Sequence, residues 1–167
     1  MGLFTNSILP SGGEAGSGGG VIQVKVGSSN TIVTGTGGYA TVTNPASTSI
    51  TMQDSSNKVL VLAFMSTGQN TGNETVSRIF RNNIQIAGSS GGTLAGHSAS
   101  FSNGNNWAGA TNLVMCIDEP GAGTHSYQHD VICGTPSGHT IKGNYSNGSG
   151  SDDWRTRSHM ILMEVSS

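Results

Sequence analysis

After residue 20 the chain is a series of short segments in which hydrophobic and polar residues alternate or hydrophobic residues run together. In segment 21–26, Ile22, Val24 and Val26 share one face, and Gln23 and Lys25 share the other, a pattern typical of a half-buried strand. Clusters of Gly, Asn, Pro and Ser separate the segments, as expected of turns between strands. The pattern predicts strands at 21–26, 39–43, 48–53, 58–66, 75–81, 83–86, 98–101, 111–118, 124–132, 139–145 and 157–165.

Two of these segments are apolar enough to predict their place in a sheet. The apolar run from Val59 to Met65 is uninterrupted, so we expect both faces of segment 58–66 to be covered, as in a central strand. Segment 158–165 is also rich in large apolar residues, and an exposed edge of that composition promotes aggregation. We therefore expect this last segment to be paired in the interior of a sheet.

The glycine-rich segments are predicted to be turns. Segments 35–38 and 89–92 lack the Lys-Ser/Thr ending of a phosphate-binding loop. Segment 118–123, Asp-Glu-Pro-Gly-Ala-Gly, is predicted to join its neighbouring strands as a hairpin loop, because proline and glycine supply the turn geometry. In that hairpin Cys116 would face position 126, roughly 20 Å from Cys133 and too far for a disulfide, so we predict two free, buried thiols.

Together these elements predict an all-β fold, an antiparallel two-sheet sandwich with a jelly roll as the leading topology. The length of 167 residues suits one domain, which we place at 21–167. The composition agrees, because 26 glycines and many Ser, Thr and Asn residues disfavour long helices.

Residues 1–20 are predicted to form an extended, flexible N-terminal arm. The arm starts with an apolar patch and continues with a segment rich in Gly and Ser, which by composition is a flexible tether. Apolar side chains are unfavourable in water, so we expect the patch to dock on a partner subunit. A disordered start with incidental apolar residues is the alternative. The predicted anchoring residues are Leu3, Phe4, Ile8, Leu9 and Pro10.

Charge and hydropathy exclude several partners. The net charge is -2 and the seven Lys and Arg residues are scattered, so no basic stripe is available to neutralise a nucleic-acid backbone. No apolar run reaches the roughly 20 residues that span a bilayer, and the N-terminus lacks the features of a secretory signal. We expect a protein that is made in the cytoplasm and binds neither nucleic acid nor membrane.

The titratable residues do not predict a catalytic centre, a cofactor or a metal site. The nine acidic residues are spread along the chain rather than gathered in one motif. His125 and His129 share one face of a predicted strand, but four residues of strand separate them by about 13 Å, beyond the reach of one zinc ion. The remaining histidines are isolated residues in polar loops or at strand edges, namely His97, His139 and His159.

Aromatic residues in two polar loops are the candidates for ligand recognition. An exposed Trp on a loop rich in Asn and Gly stacks well on sugar rings, but it packs equally well at the end of a sandwich or in a subunit junction. We favour packing and keep recognition as the alternative. The candidate recognition surface comprises Trp107, Asn144, Tyr145 and Trp154.

Several segments together carry a resemblance to a known group of proteins. They are VIQV at 21–24, SITM at 49–52 followed by NKVLVL at 57–62, the run 76–86 with its two arginines, IDEP at 117–120 followed by THSY at 124–127, and MILMEV at 160–165. These segments resemble virion structural proteins of tailed phages that infect cyanobacteria and other aquatic bacteria. The resemblance covers nearly the whole chain after residue 20.

The resemblance implies a jelly-roll-like, trimer-forming domain of the kind found in head decoration proteins, in neck or head fibres and in tail-fibre tips. The longer relatives carry a shaft before this domain, whereas here only the arm comes first. We therefore expect a non-enzymatic, trimeric capsid decoration (cement) protein on the virion surface, which binds the major capsid protein or another virion subunit and stabilises the shell. Two alternatives stay open, a fibre tip that binds a host-surface glycan or receptor and, more remotely, a small polysaccharide-acting enzyme.

Overall fold

The computed structural model describes residues 20–69, 74–87, 99–101, 109–133, 139–144 and 156–167. Every regular element in these ranges is a β-strand, and none of them contains a helix of the length and apolarity that would cross a membrane. The strands are β1 (Val21–Ser29), β2 (Val33–Gly37), β3 (Thr41–Thr43), β4 (Thr48–Thr51), β5 (Lys58–Gln69), β6 (Glu74–Arg81), β7 (Ile84–Ala87), β8 (Ala99–Phe101), β9 (Gly109–Asp118), β10 (Thr124–Cys133), β11 (His139–Gly143) and β12 (Ser158–Val165).

The first sheet is built around β5, the longest strand. One edge of β5 pairs with β12 and, further along, with β11, while its other edge pairs with β9. The sheet continues from β12 to β1 and from β11 to β2. The last strand of the chain therefore lies between β1 and β5, as predicted.

The second sheet is built around β10. One edge of β10 pairs with β3 and β4, and the other pairs with β6, which in turn pairs with β7 and β8. Every pairing in both sheets is antiparallel.

The core lies between the two sheets. In its larger cluster, Val59 and Val61 of β5 and Leu162 of β12 pack against Ile79 of β6 and Tyr127 of β10. A smaller cluster continues along the sandwich and contains Met65, Ile141, Val42, Val131 and Cys133. Full burial of one such aliphatic side chain stabilises a fold by about 1.5–3 kcal/mol.

The predicted all-β, antiparallel two-sheet sandwich is confirmed, and each predicted strand corresponds to an observed one. The strand order is consistent with a jelly roll, which stays the finer prediction.

The prediction of a turn at 35–38 is wrong, because most of that segment belongs to β2. Gly35 pairs with Ile141 of β11 and lies so close to the second sheet that a Cβ at this position would come within 2.2 Å of the Thr41 carbonyl oxygen. Gly27 of β1 approaches the Ala46 carbonyl oxygen equally closely. Gly35 therefore allows β2 and β3 to approach backbone to backbone, and Gly27 allows the loop between β3 and β4 to approach β1 in the same way.

The predicted hairpin between 111–118 and 124–132 is also wrong. β9 belongs to the first sheet and β10 to the second, so segment 119–123 crosses between the layers. Gly121 and Gly123 adopt positive φ angles of 76° and 111° in this crossing. Both cysteines are nevertheless free thiols as predicted, with Cys133 buried and Cys116 half-buried.

The orientation of β1 departs from the usual rule that the apolar side of a half-buried strand points inward. The alternation itself is present, but Gln23 is the residue turned toward the sandwich interior, where it contacts Glu164, and Val24 and Val26 point outward.

The prediction that both faces of β5 are covered holds on the inner face only, because Leu60, Leu62 and Phe64 on its outer face are half-buried. The apolar pattern of the first sheet therefore extends to a face that the second sheet does not cover.

Candidate interaction surface

An ion-paired cluster joins the sheets at the crossing segment. Arg81 of β6 donates to both carboxylate oxygens of Asp118 on β9 at 2.8 Å, and the Tyr127 hydroxyl donates to Oδ2 of Asp118 at 2.7 Å. Burial, followed by the hydrogen bond to Asp118, raises the pKa of Tyr127 far above its ordinary value. The phenol therefore stays protonated at neutral pH and serves as a hydrogen-bond donor.

A buried carboxylate anchors the loop between β4 and β5. Oε1 of Glu164 accepts hydrogen bonds from Asn57 Nδ2 at 2.7 Å and from the Gln53 backbone N–H at 2.9 Å, and its other oxygen accepts from Gln23 Nε2. Burial acts to raise the pKa of Glu164, but these hydrogen bonds outweigh it and hold the pKa below 4.5. The carboxylate therefore ties together β12, β1 and the loop.

His129 is completely buried in the second sheet. Asn44 Nδ2 contacts its Nδ1 at 3.3 Å, and because this amide nitrogen can only donate, the ring hydrogen lies on Nε2 and is donated to Ser77 Oγ at 3.1 Å. Burial lowers the pKa of His129 to about 3, so the ring is neutral at physiological pH. Its role in the structure is to fill the core and satisfy two polar neighbours.

His125 points to the same side of β10 as His129 but has a separate set of partners. Its Nδ1 lies 3.3 Å from Asn82 Nδ2, and its Nε2 lies 3.3 Å from the carbonyl oxygen of Gly121 and 3.2 Å from that of Ala122. The ring therefore holds the crossing segment in place. Within the described ranges, no group of three or more His, Cys, Asp or Glu side chains is arranged to hold a metal ion.

The half-buried thiol of Cys116, near the ion-paired cluster of Asp118, Arg81 and Tyr127, is not activated for nucleophilic attack. Burial and, secondarily, the negative charge of Asp118 raise the pKa of Cys116 to about 11. The thiol is therefore protonated at neutral pH. Asp118, Tyr127, Glu164, His125 and His129 act as hydrogen-bond or ion-pair partners within the sandwich.

The outer face of the first sheet is the most unusual surface of the described part of the chain. On β9, Leu113, Met115 and Ile117 are 55%, 56% and 68% exposed. At the other edge of the same outer face, Val24 and Val26 of β1 are 48% and 60% exposed. A soluble β-sheet that faces water normally alternates apolar residues inside with polar residues outside. β1 does the opposite, with Gln23 inside and Val24 and Val26 outside, and β9 is apolar on both sides.

The register shows that these side chains form one continuous face. Leu62 of β5 lies between Met115 of β9 and Ile161 of β12, and Ile161 in turn lies opposite Val26 of β1. The row on one side repeats this arrangement with Leu60 of β5, and the row on the other side continues from Leu113 and Phe64 to the polar residues His159 and Ser28. We call this surface, the outward side chains of β1, β12, β5 and β9, the apolar face.

Polar and charged groups lie at the ends of the apolar face. At one end Lys58 of β5 forms a 2.8 Å ion pair with Glu119. Toward the other end the ring of His159 stacks on Phe64 at a centroid distance of 4.7 Å. His159 is therefore on an interior strand, which corrects the sequence-based placement in a polar loop or at a strand edge.

The outer face of the second sheet has a different chemistry. Gln128 of β10 donates to Asp130, and Arg78 of β6 lies 3.6 Å from Asp130 and over the ring of Phe80. Ser126 donates its backbone N–H to Asn82 on the same side. The two outer faces are thus distinct, and among the residues placed by the structure only that of the first sheet is a continuous apolar surface.

The structure places one of the residues proposed for ligand recognition. Asn144 is fully buried, and its Nδ2 donates to the carbonyl oxygens of Ser29 and Thr31 and to Ser158 Oγ. Asn144 therefore connects β1, β11 and β12 from within and is not part of a recognition surface, which corrects the prediction. Trp107, Tyr145, Trp154 and the arm residues Leu3, Phe4, Ile8, Leu9 and Pro10 lie outside the described residues.

The sequence contains a signal for the apolar face that alternation alone does not show. Segment 113–117 reads Leu-Val-Met-Cys-Ile, so both faces of β9 are apolar, just as both faces of β5 are. Such a run predicts a strand that is covered on both sides.

Neither a family model nor a curated protein sequence matches the chain.

Proposed function

We propose that the protein is a non-enzymatic structural subunit of a phage particle, a trimeric decoration protein that binds the head surface and stabilises the shell. The resemblance of the segments at 21–24, 49–62, 76–86, 117–127 and 160–165 to virion structural proteins of tailed phages suggests this class. The observation that carries the proposal is the apolar face, because a surface of this kind is typical of proteins that work in contact with other subunits.

The interior supports the same proposal. The described inward groups Asp118, Glu164, His125 and His129 each contact two or more polar partners, and the pKa values of Tyr127 and Cys116 are raised. An enzyme that uses such groups shifts the pKa of a base or nucleophile toward the working pH instead. The arrangement suits a rigid part whose surfaces contact other proteins.

A decoration protein needs a contact with the shell in addition to contacts between its own copies. We assign the shell contact to the apolar patch of the arm, on a glycine-rich tether that converts a weak contact per copy into a strong contact per trimer. Copies that bridge neighbouring capsid subunits add their binding free energy to that of the shell. In this proposal the protein is made in the host cytoplasm and resides on the virion surface, bound to the major capsid protein or another virion subunit.

The test compares particles produced with and without this gene. We expect cryo-electron microscopy to show additional density on the head in the presence of the gene, and DNA release on heating to begin at a lower temperature in its absence. Adding the purified full-length protein back should restore both properties, whereas protein lacking residues 1–12 should not. A protein that is absent from purified particles would overturn the proposal.

A second experiment separates this function from host recognition. Trp107→Ala should leave host adsorption unchanged for a decoration protein, because this side chain would not contact the cell. Loss of adsorption in this variant, with unchanged heat stability of the head, would contradict decoration and favour the fibre-tip alternative. Turnover of a capsular or cell-wall polysaccharide in proportion to protein concentration would contradict a non-enzymatic function.

A further inference from the structure

We infer that the apolar face is the surface through which copies of this chain contact one another. The inference rests on the self-association in the proposed function, which assigned no surface to it. The charge, the size and the exposure of the face indicate that its occupant is a second copy of the chain.

The middle of the apolar face is uncharged, which suits contact with an identical face. Between the Lys58–Glu119 ion pair at one end and the His159–Phe64 stack toward the other, the described outward positions of β5, β12 and β9 carry no charged side chain. Two such faces meet without like charges and without leaving an ion unpaired, and a buried unpaired ion is the most expensive defect of an interface. A strongly acidic or basic partner gains nothing from this surface, whereas a second copy is complementary to it.

The size of the face agrees with contact between copies. Four strands about 4.8 Å apart and about eight residues at 3.3 Å each cover roughly 500 Å². In a ring of three, each copy contacts two neighbours, so that the β1 side and the β9 side of the face contact different copies and each contact buries roughly 500 Å². A copy that leaves the ring breaks both contacts, roughly 1,000 Å² in total, which is the size at which specific protein–protein interfaces begin.

The exposure of the side chains indicates where the contact is closest. Leu113, Met115 and Ile117 of β9, like Val26 of β1, are more exposed than Leu62 of β5, so covering the face removes more water from these two strands. Residues that become fully desolvated in an interface contribute most of the binding free energy. Substitutions on β9 should therefore weaken association.

The second sheet provides a matched control. Ile84 of β7 is 65% exposed and Ile117 of β9 is 68% exposed, so the same substitution changes two equally exposed isoleucines on different faces. The ammonium introduced by Ile117→Lys has Glu119 two residues away on the same side of the chain, which favours folding of the isolated chain. Met115→Lys serves as a second variant nearer the middle of the face.

The experiment measures the mass of the full-length protein by light scattering over a range of concentrations. We expect the wild type and Ile84→Lys to be trimers of 17.0 kDa chains, and we expect Ile117→Lys and Met115→Lys to dissociate at concentrations roughly a hundredfold higher or to be monomers. Circular dichroism should show the same β-sheet spectrum for all four proteins. Equal weakening by Ile84→Lys, or trimers that tolerate both β9 variants, would overturn the inference.

A photo-crosslinker tests the occupant directly and does not depend on a destabilising variant. With p-benzoylphenylalanine in place of Met115, we expect crosslinks to a second copy, which heavy- and light-labelled chains reveal by mass spectrometry. The same group in place of Ile84 should give no such crosslink. Crosslinks from position 115 to residues 1–19 of the same molecule, or a wild type that stays monomeric at micromolar concentration, would overturn the inference.

The two proposals fail in different ways. If the wild type forms trimers that Ile117→Lys dissociates but the protein is absent from particles, the proposed function is wrong and the assignment of the face stands. If the protein is present on heads and the Ile117→Lys variant still forms trimers there, the assignment of the face is wrong and the function stands.

Discussion

The hydroxyl of Tyr127 on β10 donates a 2.7 Å hydrogen bond to Oδ2 of Asp118 on β9, and this contact joins the two sheets of the sandwich. Tyr127→Phe removes the donor and leaves Asp118 with Arg81 as its partner. We expect a loss of about 1–2 kcal/mol in the free energy of unfolding, measured by urea denaturation, because a buried hydrogen bond to a charged group is lost. Tyr39→Phe is the matched control, since no partner of that hydroxyl is present among the described residues, and an equal loss in both variants would contradict the assignment.

Glu164→Gln should destabilise the fold at neutral pH by about 2 kcal/mol, because an amide nitrogen replaces one of the oxygens that accept hydrogen bonds from Asn57 and Gln23. The folded-state pKa of Glu164 lies below 4.5, so its stabilisation is complete above pH 4.5 and is lost as the pH falls through the folded value. The variant should therefore approach the wild type in stability at low pH, as measured by thermal unfolding between pH 7 and pH 3. Glu119→Gln, in an exposed ion pair, should change stability by less than about 1 kcal/mol, and a larger effect than that of Glu164→Gln would refute the prediction.

His129 should make the fold less stable as the pH falls below 6.5. Burial lowers its pKa from 6.5 to about 3, so between these values the unfolded chain binds a proton that the folded chain does not. The wild type should lose about 1.4 kcal/mol per pH unit from this residue, most clearly between pH 6 and pH 5, where Glu164 is ionised in both states. His129→Gln should lose this slope in urea denaturation, and an unchanged slope would show that the ring is protonated in the folded state.

Cys116 should react slowly with iodoacetamide in the folded protein. Burial and Asp118 raise its pKa from 9.0 to about 11, which lowers the thiolate fraction at pH 8 about a hundredfold. We expect alkylation of Cys116, followed by peptide mass mapping, to be slower by at least that factor in buffer than in urea. Similar rates in both conditions would contradict the burial of this thiol.

The positions of the strands could be predicted from the sequence because local residues determine them. Alternation and turn residues located β4, β6, β10 and β12 within a few residues, and the large apolar residues of β12 predicted its interior position. β2 was missed because Gly35, which is needed for the close approach to Thr41, has the composition of a turn.

The faces and connections could not be predicted because they depend on distant residues. Alternation in β1 shows that Val24 and Val26 share a face, but only the buried Glu164, far away in the sequence, explains why Gln23 takes the inner side. The crossing after Asp118 similarly depends on Arg81 and Tyr127, which satisfy the carboxylate between the layers. The apolar face depends on both the orientation of β1 and the crossing after Asp118. The sequence pattern therefore did not predict it as a site.

The pairing of β12 with both β1 and β5 has a consequence for biosynthesis. Because β12 separates these two strands, the first sheet lacks its interior strand until residue 165 has left the ribosome. Strand pairs that are so distant along the chain also form slowly. The nascent chain therefore carries unprotected strand edges until β12 has been synthesised, and its yield in cells should depend strongly on chaperones and on growth temperature.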